Sequence, residues 1–119
     1  MASGTHVALA RLAHEIVGTV SCVMHADGKR GEVLRLGVGP AYRGGGLGLE
    51  LMAYAENYLM KRGAATIELG IVSDFLRLQG YYERLGYVVT STRPVENLPF
   101  QVTYLEKHAR EGGTMQRSS

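Results

Sequence analysis

The sequence predicts a single α/β domain with a mixed, mostly antiparallel central sheet, and three observations lead to this prediction. Residues 6–12 and 15–25 are two β-leaning runs separated by two residues, as in a hairpin. Residues 33–61 read as strand, glycine loop and helix, because an apolar run ends at a proline and four glycines lead into helix-forming residues. Residues 65–72 read as a further strand. A helix that connects two neighbouring strands makes that pair parallel.

Composition narrows the class of protein. A chain of 119 residues is one domain with enough residues for an independent core. Its 13 basic and 11 acidic residues leave a net charge of +2, which gives no electrostatic reason to expect nucleic acid or an anionic membrane as a partner. Cys22 has no second cysteine to pair with, and four scattered histidines do not suggest a metal site. Since no apolar run would span a bilayer and no signal pattern is present, we expect a cytoplasmic protein.

The first three strands are expected to pair antiparallel. In the second run, Gly18 marks a bulge or a point where another element approaches closely. Asp27 and Gly28 are typical of a tight turn, which returns the chain into the strand at residues 33–38.

A helix is predicted after the glycine loop. Lys61 and Arg62 complement the negative end of its dipole, and Gly63 suits a left-handed C-cap. Apolar side chains recur at helical spacing and are expected to face the core: Leu47, Leu51, Tyr54, Ala55 and Tyr58.

A second, shorter helix is predicted to begin after Ser73 or Asp74, either of which can act as the N-cap, and to end at Gly86. Its predicted apolar stripe consists of Phe75, Leu78, Tyr82 and Leu85.

The remaining chain is predicted to form two strands and a tail. Residues 87–90 and 100–105 are the strands, and residues 93–99 between them are a loop with two prolines. The domain is expected to span residues 1–107, because residues 108–119 have almost nothing to bury and should form a flexible tail.

The glycines that open the first helix are typical of an anion site. Helix N-termini present unpaired N–H groups at the positive end of the dipole, and glycines let the backbone close around phosphate. A glycine-rich connection without a ligand is the alternative. The dinucleotide fingerprint fails at Leu49, and the P-loop pattern fails because Gly45 and Gly46 stand where Lys and Ser or Thr are needed.

The segment Arg43-Gly44-Gly45-Gly46-Leu47-Gly48 resembles the R/Q-x-x-G-x-G/A pyrophosphate loop of the GNAT superfamily of acetyl-CoA-dependent N-acetyltransferases. Residues 36–42 are similar to the strand and P-x-Y/W-R approach of that family, and residues 82–87 are similar to its late Y-E-x-x-G-F/Y segment. The resemblance covers residues 6–107 and implies a GNAT-like fold, with the parallel strand pair joined by the cofactor-binding helix. The first strand and first two helices of the family are absent, since about five residues precede His6.

The resemblance also implies a cofactor, acetyl-CoA or CoA, and the residues that bind it. Backbone amides of the loop would hold its pyrophosphate, and the strand before the loop would pair with the pantetheine arm. The implied cofactor-binding residues are Leu36, Gly37, Val38, Arg43, Gly44, Gly45, Gly46, Leu47 and Gly48. One departure concerns Phe75, which stands where many relatives have a cofactor-holding Asn.

Three candidate catalytic residues follow. Tyr82 matches the family tyrosine that commonly faces the sulfur of CoA and would protonate the departing thiolate; a core tyrosine is the alternative, and Tyr81 is the weaker candidate. Glu32 resembles the catalytic glutamate of the histone-acetylating branch; an ordinary exposed glutamate at the start of a strand is the alternative. Glu68 interrupts an apolar strand, where an unpaired carboxylate is costly, so it is expected to meet a partner or to face the cleft. Free amine in solution would make a dedicated base unnecessary.

The leading hypothesis is an N-acetyltransferase that transfers acetyl from acetyl-CoA to a primary amine by direct attack in a ternary complex. The alternative is a CoA-binding or dimerising module without turnover; a nucleotide-phosphate binder is disfavoured by the failed fingerprints. The acceptor, a small molecule or a peptide amine, is left open. We expect a homodimer, because the absent elements would otherwise leave an apolar sheet face uncovered.

Overall fold

A computed structural model describes residues 4–108 of the chain. The described part forms one six-stranded sheet with two α-helices. The strands are β1 (His6–Leu12), β2 (Glu15–Met24), β3 (Arg30–Val38), β4 (Thr66–Val72), β5 (Val88–Pro94) and β6 (Gln101–His108). The helices are α1 (Leu47–Lys61) and α2 (Leu76–Arg84), and a short 3₁₀ turn, Pro40–Tyr42, precedes the glycine loop.

The sheet has the strand order β1-β2-β3-β4-β6-β5. Only β3 and β4 are parallel, and α1 makes the crossover between them; every other neighbouring pair is antiparallel. The mixed, mostly antiparallel sheet with one parallel pair is therefore confirmed, and so are the three antiparallel strands at the start of the chain.

The last two strands are longer than the sequence suggested. Arg93 and Pro94 pair with β6, so the predicted loop at residues 93–99 begins only after Pro94. The proline ends its strand, where a missing N–H costs no interior ladder bond. His108 pairs with Thr66 of β4 and belongs to β6, so the predicted tail begins within a strand. The rest of that tail, residues 109–119, lies outside the described residues.

Helix α1 packs closely on the sheet because two glycines face it. A Cβ atom added to Gly31 would lie 2.9 Å from Leu59, and one added to Gly18 would lie 2.9 Å from Leu51. Gly18 is thus confirmed as a point of close approach, and the register of β1 with β2 also shifts beside it.

The buried stripe of α1 differs in part from the predicted one. Tyr54 is exposed and Tyr58 only half-buried, because both pack against the His6 ring of β1 at the edge of the core. The buried residues of α1 are Leu51, Met52, Ala55 and Leu59.

Helix α2 is less buried than its apolar stripe suggested. Phe75 is its N-cap and makes no side-chain cap bond, so the predicted caps Ser73 and Asp74 are wrong. The reason is that the chain first makes a turn, in which the Phe75 N–H bonds to the Val72 carbonyl at 3.0 Å, so the first helical bond runs from Gln79 N to Phe75 O at 3.1 Å. Phe75 and Leu78 are exposed, and Tyr82 is the one buried residue of this helix.

Both helices lie on the same face of the sheet, since Tyr82 and the buried residues of α1 share one core with Leu69 of β4. Side chains alternate along a strand, so Glu68 and Gly70 point to the opposite face. No helix of residues 4–108 covers that face, which we call the helix-free face. Val7 and Leu9 of β1 lie on it, 56% and 46% exposed. Neither helix of residues 4–108 is long and apolar enough to cross a bilayer.

Candidate functional site

The parallel strands β3 and β4 separate shortly after they begin to pair. Their register covers only residues 30–32 of β3 with residues 66–68 of β4. Just beyond the last pair, Leu34 is an extra residue of β3, because Cys22 and Ser21 of β2 pair with Val33 and Arg35. A bulge of this kind bends a strand, so it marks the point where β3 leaves β4.

The separation opens a gap of about 380 Å³ between the two strands, which we call the wedge. By the alternation of side chains along each strand, residues of both sheet faces line it. From the helix side come Val33, Leu36, Leu69, Ile71 and Tyr82, and from the helix-free side Thr19, Arg35, Gly37, Gly70 and Val72. The wedge therefore connects the two faces of the sheet.

The glycine loop reaches α1 with free backbone donors. Gly44 and Gly46 have φ angles of 86° and 89°, which strain any other residue, and Gly46 is the N-cap without a side-chain cap bond. The first helical bond runs from Glu50 N to Gly46 O at 3.1 Å. The N–H groups just before it lack helix partners and are available to an anion. A cavity of about 260 Å³ lies at this loop.

A larger cleft of about 1170 Å³ lies between β3 and α2 and shares residues with both smaller cavities. It contains Leu36, Gly37 and Val38 on one side and Gly48 at the start of α1. The glycine-loop cavity, the large cleft and the wedge therefore form a continuous groove.

The predicted cofactor-binding residues come together along this groove. Seven of them line it: Leu36, Gly37, Val38, Arg43, Gly44, Gly46 and Gly48. Gly45 and Leu47 belong to the same loop without lining a cavity. The Nε of Arg43 donates to the Val38 carbonyl at 3.1 Å, which holds this guanidinium where β3 ends and the loop begins.

The two neighbouring tyrosines of α2 occupy different parts of the groove. Tyr82 is buried at the wedge, and this burial, with a smaller contribution from Tyr81, raises the pKa of its phenol to about 12. Tyr81 lines the glycine-loop cavity, and a Cβ atom added to Gly48 would lie 3.3 Å from its hydroxyl. Burial raises the pKa of Tyr81 as well. Tyr82 is thus a protonated phenol beside the wedge.

The two glutamate candidates face each other across the last paired position of β3 and β4. Glu32 lies 3.1 Å from His25 Nε2, and Glu68 lies 3.4 Å from an Arg30 nitrogen. Both carboxylates therefore have partners, as expected for Glu68. They do not line the groove, but each directly precedes a residue that lines the wedge.

Sequence reasoning missed the contribution of α2 to the cleft wall. Phe75, Leu78, Arg77 and Arg84 all line the cleft, whereas the sequence placed only Phe75 near the cofactor and assigned Leu78 to the apolar stripe of the helix. The spacing of Arg77, Tyr81 and Arg84 along the helix is a signal for one shared face. Within residues 4–108, no group of three or more His, Cys, Asp or Glu side chains is placed to hold a metal ion.

Comparison with known proteins assigns the family. The model of the acetyltransferase (GNAT) family matches residues 2–87, which is more than half of the chain. The chain belongs to the GNAT acetyltransferase family. The groove thus occupies a GNAT domain, and the sequence resemblance is confirmed.

Solved GNAT structures share this fold. A nourseothricin acetyltransferase superposes with a TM-score of 0.75 at 23% identity, covering 90% of this chain, which spans 65% of that protein's length. A GNAT family acetyltransferase from Elizabethkingia anophelis, solved with acetyl-CoA bound, superposes with a TM-score of 0.79 at 16% identity. The match covers 87% of this chain and 76% of that protein. The ribosomal-protein-S18-alanine N-acetyltransferase from Escherichia coli superposes with a TM-score of 0.74 at 19% identity. That match covers 88% of this chain and 69% of that protein. At these identities the likeness shows the GNAT fold.

Proposed function

We propose that the protein is an N-acetyltransferase that transfers acetyl from acetyl-CoA to a primary amine by direct attack. The observation that supports this most is the wedge, because it connects the groove on the helix side to the helix-free face. A thioester in the groove and an amine on the opposite face would meet within the sheet without sharing an entrance.

The residues of the groove fit acetyl-CoA. The free N–H groups at the start of α1, together with Arg43, suit a diphosphate. The main chain of β3 beyond the bulge has left β4, so its N–H and C=O groups can pair with the amides of pantetheine as an added strand would. The coenzyme would supply a thioester, whose C–S bond breaks as the new C–N bond forms. Free N–H groups of β3 at the wedge would stabilise negative charge on the carbonyl oxygen.

Two protons must move in this reaction. The attacking nitrogen loses one and the departing thiolate gains one. Tyr82 would donate from the edge of the wedge, where its phenol is protonated over the physiological range. Glu32 and Glu68 lie beside the wedge on the helix-free face, the side from which the amine would approach. Their distance from the groove favours proton transfer through water.

The second candidate is a module that binds CoA without turnover. The exposed side chain of Phe75 at the groove and the partners already held by Glu32 and Glu68 favour it. Thiol release from acetyl-CoA, measured with a panel of amines, separates the two functions. We expect release that depends on an amine and that falls about 10²-fold or more in Tyr82→Phe. Binding of acetyl-CoA without thiol release for any amine would favour the module.

A second copy of the chain is the proposed cover for the β1 edge of the helix-free face, which leaves the wedge between β3 and β4 open to an amine. Val7 and Leu9 are exposed there on β1, at one edge of the sheet, and neighbouring exposed apolar side chains promote association. Light scattering at micromolar concentration should give twice the chain mass for wild type. Leu9→Glu should shift the protein towards monomer, whereas Leu76→Glu on the helix side should not. A wild-type monomer would refute this assembly.

A further inference from the structure

Three arginine side chains line the large cleft, and the glycine loop supplies only one of them. Arg43 comes from the loop, while Arg77 and Arg84 come from α2. On this helix they lie four residues before and three residues after Tyr81, so the three side chains share one face. Asp74 is the acidic residue that lines the same cleft.

The α2 arginines carry charge that the described protein does not neutralise. Neither Arg77 nor Arg84 forms an ion pair within residues 4–108. The nearest carboxylate along the helix, Glu83, accepts a hydrogen bond from Gln79 instead, at 3.3 Å. The cleft therefore has a basic wall opposite β3, with two guanidinium groups available to a ligand.

This charge matches a part of coenzyme A that the glycine loop leaves unbound. The loop amides and Arg43 account for the diphosphate, which leaves the phosphomonoester on the ribose. At neutral pH a phosphomonoester carries about −1.5 to −2 charges. Guanidinium groups suit it because they can donate two parallel hydrogen bonds to phosphate oxygens.

We propose that Arg77 and Arg84 bind the 3′-phosphate of coenzyme A and make the cleft selective for the complete coenzyme over 3′-dephospho-CoA. The inference rests on the proposed function, since it concerns the same groove and names the form of thiol carrier that the groove accepts. Both side chains are exposed, so their attraction to phosphate weakens as salt rises.

Isothermal titration with CoA and with 3′-dephospho-CoA tests the proposal. The proteins are wild type, the double variant Arg77→Gln plus Arg84→Gln, and the matched control Arg11→Gln, whose arginine lies on β1 outside the cleft. We expect wild type and Arg11→Gln to bind CoA about tenfold more tightly than the dephospho form, as charged hydrogen bonds imply. The double variant should bind both ligands with the affinity that wild type has for the dephospho form. Circular dichroism checks that its fold is retained.

The outcomes separate this inference from the proposed function. Equal affinity of wild type for the two ligands would overturn the 3′-phosphate site and leave the acetyltransferase proposal standing. An equal loss of affinity for both ligands in the double variant would also overturn it, because the arginines would then act on a part that the ligands share. Binding of neither ligand by wild type would contradict both proposals.

Discussion

The two helices lie on the same face of one sheet and yet do different work. Helix α1 has 15 residues and buries four of them, mainly over β2 and β3, whereas α2 has nine residues and buries one. The first helix is a core element whose N-terminus carries the unpaired N–H groups of the glycine loop. The second is mainly a wall of the groove. The difference teaches that an apolar stripe on a helix can face a ligand cleft as well as a core.

The largest expected effect comes from the same substitution made once in each helix. Leu59→Ala removes a side chain that is 0% exposed and should lower the free energy of unfolding by about 2–5 kcal/mol. Leu76→Ala removes one that is 72% exposed and should change it by no more than about 0.5 kcal/mol. Urea denaturation without ligand measures both. Similar losses at the two sites would show that α2 is packed as tightly as α1.

The next effect depends on pH and tests whether Tyr82 is the point at which α2 enters the core. Its pKa is raised from 10 to about 12 in the folded chain, mainly by burial. The unfolded chain therefore loses this proton first, and the stabilisation present below pH 10 is lost as pH rises towards 12. A shift of two pKa units corresponds to roughly 2–3 kcal/mol in the free energy of unfolding.

Comparison with Tyr82→Phe isolates this contribution, since the variant keeps every other titrating group. Tyr87, whose pKa is also raised by burial and by the Glu56 carboxylate, contributes in the same direction in both proteins. Unfolding free energies from pH 8 to pH 12 should fall more steeply for wild type than for the variant. Parallel curves would mean that the Tyr82 phenol is not desolvated in the folded state.

The smallest effects come from adding one methyl group beside or within each helix. Gly31→Ala places a Cβ 2.9 Å from Leu59 and should destabilise the protein by about 1–3 kcal/mol. Gly80→Ala adds the same atom inside α2 at an ordinary 3.6 Å from Arg84, and should stabilise it by about 0.5–1 kcal/mol. Thermal unfolding without ligand measures both changes in stability, a loss for the first variant and a gain for the second. A stabilising Gly31→Ala would refute the close packing of α1.

Much of the fold could be predicted from local signals. Glycines and a proline separate β3 from α1, and the spacing of Leu51 and Ala55 predicts an amphipathic helix that needs no distant information. Strand ends were less predictable. Judged from the local sequence, Arg93 and Pro94 are typical of a loop. They join the sheet because Val102 and Gln101 of β6 pair with them.

The site was predictable where backbone chemistry dictates the residue type. The positive φ angles at residues 44 and 46 favour glycine, so the glycines in the sequence already indicated the loop for which an anion is proposed. Leu78 was assigned only to an apolar stripe, because hydrophobic periodicity does not distinguish a core from a groove. Arg77 and Arg84 were missed since each is an ordinary surface residue until the fold places both opposite β3.

The bulge at Leu34 has a further consequence for how β3 tolerates change. Side chains of a strand point alternately to its two faces, so one surplus residue reverses the face to which each later residue would otherwise point. Downstream of it, Leu36 turns towards Val20 and the helices, and Arg35 turns away. Deleting Leu34 would keep Arg35 facing away and Leu36 facing the helices, because the strand would then alternate regularly from Val33. It would also remove the bend and so undo the gap between the strands, while leaving the composition of the domain almost unaltered.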